Sequence, residues 1–98
     1  MVRTIVHLQG VITTTSLKEG KQAGLDAGKR YVQDWQADYN AAVAGLAREK
    51  AALDSKKGTP EHGALALEYG KKADILIKAK EALDAGIRAY NALAEKSR

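Results

Sequence analysis

"VRTIVHLQGVITTT", residues 2–15, is rich in β-branched side chains and alternates in character. Val2, Thr4, Val6 and Leu8 share one parity, against Arg3, Ile5, His7 and Gln9. Alternation at period two predicts a β-strand with one face buried. Two versions fit the residues. In one, Gln9 and Gly10 form a two-residue hairpin turn with Gly10 at positive φ, so that Leu8 faces Val11 and Val6 faces Thr13. In the other, the whole segment is one long strand. An isolated hairpin is marginal in water, so the segment is expected to pack on the rest of the chain or to pair with a second copy.

The next stretch, "KEGKQAGLDAGKRYVQDW" (residues 18–35), places glycine at 20, 24 and 28. Each interior glycine costs a helix roughly 1 kcal/mol relative to alanine, so the missing side chains call for a reason. From about residue 17 the period becomes helical. Leu25, Val32, Tyr39, Leu46 and Leu53 fall seven apart, and Gly28, Trp35 and Ala42 follow three residues after the first three. This is a heptad stripe. It breaks at "DSKKGTPEHG", residues 54–63. Gly58 suits a left-handed helix end, Thr59 an N-cap, Pro60 the first helical position and Glu61 the positive helix end. A second stripe follows, with Tyr69, Leu76, Leu83 and Tyr90 seven apart. Leu65, Ala79, Gly86 and Leu93 hold the companion positions, and Lys72 is the polar exception.

The expected organisation is a single domain, 1–98, with a β segment at 1–16, a helix at about 17–56, a turn at 57–59 and a helix at about 60–96. Helices of matched length joined by a short turn fold back on each other. A turn near 57–58 brings Leu46 to Tyr69, Tyr39 to Leu76, Val32 to Leu83 and Leu25 to Tyr90, stripe against stripe. Trp35 comes opposite Ala79. Gly24 and Gly28 flank the Leu25 layer where the Tyr90 ring arrives, with Gly86 nearby, so their role is packing. Gly20 marks the passage from strand to helix. The fold expected is mainly α: a long antiparallel two-helix hairpin of coiled-coil kind, preceded by a β-strand or β-hairpin and completed by dimerisation.

"EGKQAGLDAGKR", residues 19–30, is similar to the glycine repeats of flagellar and type III secretion stator proteins. The likeness covers about a dozen residues and implies no function here.

Hydrophobic residues make up 45% of the chain, but there is no Phe, one Trp and much Ala. Such a core buries little area, and small domains of this kind lean on oligomerisation. With no cysteine, disulfides and thiolate metal sites are excluded, and a cytoplasmic location is expected. No apolar run reaches the ~20 residues of a membrane span, so no membrane partner is expected. The net charge is +4, with 16 Lys and Arg interleaved among 12 Asp and Glu. Interleaving describes solvated helix faces; the excess permits a nucleic-acid partner without requiring one.

No phosphate-binding loop, nucleophile elbow or metal-ligand motif is present, and His7 and His62 lie far apart in sequence. No catalytic residue, metal or cofactor is therefore expected, and the chain reads as a non-enzyme. Its binding features are the strand, carrying Val6 and Leu8, and the aliphatics Val43, Ile75 and Ile77, which lie off the stripes. These predict a protein-interaction module, an adaptor, inhibitor or assembly factor of bacterial or phage type, that forms a homodimer and docks on a protein through helix faces or its strand. The alternative is a basic dimeric regulator that resembles ribbon-helix-helix proteins in outline. Its contacts to nucleic acid would come from Arg3, His7, Gln9 and Thr13, with Lys71, Lys72 and Lys78 on the second helix.

Overall fold

Thr4 begins a helix. Its backbone is extended, and its Oγ1 accepts a hydrogen bond from the His7 N–H at 3.1 Å, an N-cap that satisfies one of the orphan donors of a first turn. The computed structural model describes residues 3–96, in three helices and no strand among the described residues. These are α1 (Ile5–Glu19), α2 (Lys21–Ser55) and α3 (His62–Lys96).

The expected strand is therefore a helix, and the two-helix hairpin is a three-helix arrangement. The residues that alternate at period two also carry a helical stripe. Leu8 and Ile12 are buried, with Ile5, Thr15 and Ser16 partly covered along the same face. The two readings separate at one pair. A strand puts Val6 and Leu8 on the same side; a helix puts them about 200° apart. Val6 is 74% exposed and Leu8 is 0% exposed. Gly10 has no positive φ and makes no hairpin turn; it lies within α1. Of the segment assigned to the strand, Val2 lies outside the described residues.

Gly20 ends α1 rather than a strand. Its φ of +100° is open to glycine at little cost, and its N–H donates to the Ser16 carbonyl at 3.0 Å. The Gly20 carbonyl then accepts from Gly24 N–H at 3.0 Å and opens α2. The chain between α2 and α3 also turns on glycine, with Gly58 at φ +84°. Thr59 and Pro60 stand in this turn and not at the helix start: the Thr59 hydroxyl donates to the Lys56 carbonyl at 2.6 Å, and Glu61 supplies the carbonyl that Leu65 N–H meets first in α3.

The chain divides into two compact units. Unit 1 holds α1, the first half of α2 to Ala37 and α3 from Glu81. Here Leu8, Ile12, Tyr31, Trp35 and Leu83 form the buried apolar core. Glycines admit the neighbours. A β-carbon at Gly24 would overlap Ser16 Oγ and stand 2.7 Å from the Ile12 carbonyl oxygen. One at Gly28 would stand 2.6 Å from Ile12 Cγ1 and 3.3 Å from Tyr90 Cδ2. One at Gly86 would stand 2.5 Å from the Trp35 ring, so Trp35 packs on Gly86. The Tyr90 hydroxyl donates to the Leu25 carbonyl at 3.2 Å. Unit 2, Asp38–Lys80, holds the rest of α2 and α3 and the turn between them.

Magnitudes decide the glycine question. Burying Leu8 and Ile12 is worth roughly 1.5–3 kcal/mol each, more than the roughly 1 kcal/mol that each glycine costs α2. Gly24→Ala is expected to lower stability by about 1 kcal/mol or more, because overpacking against a backbone carbonyl outweighs the gain in helix propensity. Gly70→Ala, at an exposed site with nothing within 4 Å, is expected to raise stability by up to about 1 kcal/mol. Urea unfolding of the two variants checks the opposite signs.

Candidate functional site

The N-terminal face of unit 1 is organised by Tyr31. Its hydroxyl accepts the Thr4 backbone N–H at 3.0 Å, its ring lies edge-on to Trp35 with centroids 6.0 Å apart, and the Arg3 guanidinium stands 5.2 Å from its centroid. One buried ring thus fixes where α1 starts. Above it runs a shallow groove lined by Val6, His7, Gly10, Val11, Thr14 and Tyr31. Gly10 adds no side chain to this wall and has nothing within 4 Å of where one would be. The exposed Val6 borders the groove, and Leu17 lies near the end of α1 at 83% exposure.

Unit 2 carries a second groove, of about 260 Å³, lined by Ala42, Gly45 and Leu46 of α2 and by Ile75 and Leu76 of α3. Glu49 and Lys72 bridge across it, with Lys72 Nζ donating to Glu49 Oε1 at 2.6 Å. Beyond the bridge the concavity continues over Ala52, Leu65, Glu68 and Tyr69. The Glu49 carboxylate raises the Lys72 ammonium above its ordinary pKa, first by the hydrogen bond and then by its charge; Glu68 adds to this. A raised lysine pKa means that the pair is fully formed below the ordinary lysine range and is lost as pH rises through the folded value. Both partners are solvent-exposed, so the pair sets geometry rather than stability.

The structure separates residues that the sequence reading groups together. Leu8 is core and cannot contact a partner. Ile75 and Ile77 are both exposed but stand two residues apart on one helix, about 200° around it, so they face opposite flanks. Ile75 lines the groove of unit 2, whereas Ile77 and Val43 are not among its lining residues. Gln9 and Thr13 share a face of α1 one turn apart, and His7 turns away from Gln9. The outward ribbon of Arg3, His7, Gln9 and Thr13 does not exist on a helix, and Arg3 is engaged with Tyr31. Lys71 and Lys78 are exposed, and Lys72 is held by Glu49. Tyr39, Tyr69 and Leu76 are half-buried along the α2 and α3 stripes.

Tyr31, Ile12 and Gly45 matter here and are absent from the sequence-based candidates. The signal for Tyr31 and Gly45 is a second stripe on α2, and that for Ile12 is its four-residue spacing from Leu8 on α1. Gly24, Gly28, Tyr31, Trp35, Asp38, Ala42, Gly45 and Glu49 alternate in steps of four and three, beside the stripe that starts at Leu25.

Among the described residues no three His, Cys, Asp or Glu side chains lie together as metal ligands, and no helix is long and apolar enough to cross a membrane. No family model, curated protein or solved structure matches the chain.

The Lys72 ammonium is expected to titrate closer to an ordinary lysine in Glu49→Gln than in the wild type. Side-chain NMR of Lys72 across the alkaline range measures the shift, and an unchanged midpoint contradicts the bridge.

Proposed function

We propose that the chain is a non-enzymatic protein-interaction module, an adaptor, inhibitor or assembly factor that binds its partner through apolar helix faces. The observation that carries this reading is the exposed aliphatic face of α1: Val6 at the rim of an open groove and Leu17 farther along, on a helix whose opposite side is firmly docked. A partner that covers these aliphatic side chains gains the free energy of removing them from water. An amphipathic helix of the partner suits a groove of this form, with small and β-branched walls and an aromatic floor. The charged residues of the chain then serve as a solvated rim.

A photo-cross-linking side chain at Val6, in cells that make the protein natively, is expected to yield a discrete protein adduct that the same group at the exposed Lys29 does not. Fluorescence anisotropy with labelled duplex DNA and RNA at about 50 and 200 mM salt supplies the contrast. Tight binding that falls steeply with salt, together with no adduct at Val6, overturns the proposal in favour of nucleic acid.

A further inference from the structure

We propose that a second copy of this chain covers the groove of unit 2, forming a four-helix bundle with Ile75 of each copy seated over Ala42 and Gly45 of the other. The inference is independent of the partner-binding face of α1.

The first argument is burial. Every side chain of the buried core belongs to unit 1, where α1 lies as a third helix on α2 and α3. Residues 38–80 include none in the buried class. A helix pair alone shields only the seam between its members, and isolated helices draw most of their stability from packing of an apolar face.

The second argument is continuity along α2. The stripe that receives α1 at Gly24 and Gly28 continues in the same four-three steps to Ala42 and Gly45. At Gly24 and Gly28 a β-carbon would collide with α1; at Gly45 it would meet nothing within 4 Å. The same small-residue notch is filled in one unit and empty in the other. Among the described helices, α1 is already docked in unit 1 and leaves this notch unfilled.

The third argument is symmetry. Glu49 of α2 and Lys72 of α3 stand at one level, joined by their hydrogen bond, and Ile75 shares the groove with Ala42 and Gly45. A twofold axis parallel to the helices sets α2 of one copy against α3 of the other, with all neighbours antiparallel. That operation puts Glu49 opposite the second copy's Lys72, and an exposed isoleucine opposite an alanine–glycine hollow. Acid meets base and large meets small, twice over. The face is complementary to itself, which a C2 interface requires.

Sedimentation equilibrium at micromolar concentration is expected to give twice the 10.5 kDa chain mass. Gly45→Leu, which fits the open groove of a single copy but blocks the incoming Ile75, is expected to raise the dimer dissociation constant about tenfold or more. Ile77→Glu, exposed on the opposite flank of α3 from Ile75, should leave it unchanged. The chain has no cysteine, so a mixture of the single variants Gly45→Cys and Ile75→Cys tests the pairing without relying on any disruptive change. Oxidation is expected to join one variant to the other. A monomer mass throughout, a Gly45→Leu chain that dimerises as the wild type does, or disulfides that join only like to like would each overturn the proposal. None of these outcomes bears on cross-linking from Val6.

Discussion

Between Ser16 of α1 and Gly24 of α2 there is no room for one more carbon atom. The rest of unit 1 follows from that constraint. The two backbones approach until the Ile12 carbonyl oxygen lies 2.7 Å from where a β-carbon at Gly24 would be, and one turn on the Ile12 side chain fills the space over Gly28. Tyr90 of α3 closes on the other side of Gly28 and donates its hydroxyl proton to the Leu25 carbonyl. Farther along α2, Tyr31 takes up the first backbone N–H of the α1 cap, and Trp35 lies across Gly86. Glycine recurs here because three helices with few large side chains can exclude water only by coming close. Gly20 completes the arrangement: its positive φ turns the chain so that α1 returns along α2 instead of extending it.

The functional reading rests on what this packing leaves uncovered. α1 spends one face on the core and presents Val6 and Leu17 on the other. Unit 2 has no helix in the position that α1 takes in unit 1, and its seam stays open along Ala42, Gly45 and Ile75. Two apolar surfaces of different construction suggest two different occupants: a foreign helix on the first, a second copy on the second. The first surface is bordered by the polar side chains of His7 and Thr14 and is one-sided; the second is crossed by an acid and a base that a twofold axis matches.

The helices from Lys21 onward are legible in the sequence because their signals are redundant: heptad spacing on both, and a glycine that takes positive φ where the first stripe stops. Residues 5–19 are not, because they carry two patterns at once. Val6 and Leu8 alternate as in a strand, while Ile5, Leu8, Ile12 and Thr15 step as in a helix. Four of these fifteen positions are Ile or Val and three are Thr, which tilts local propensity toward the strand. The N-cap at Thr4 and the notch at Gly24 and Gly28 decide otherwise, and a tertiary notch is invisible to a local reading. The candidate site shares that fate. Ile75 and Ile77 look like one patch until they are placed 200° apart on a helix, and Gly45 looks like a flaw in α2 until it is seen to continue the stripe that α1 occupies.

The docking of α1 in the glycine notch is the claim on which the account turns, and NMR tests it most directly. Backbone carbon shifts through residues 5–19, read together with the cross-relaxation between the Ile12 δ1 methyl group and the Gly28 α-protons, report helix and contact in one sample. The account predicts helical shifts ending at Gly20 and a strong Ile12–Gly28 contact. Extended shifts over 5–15, or helical shifts without that contact, would contradict it.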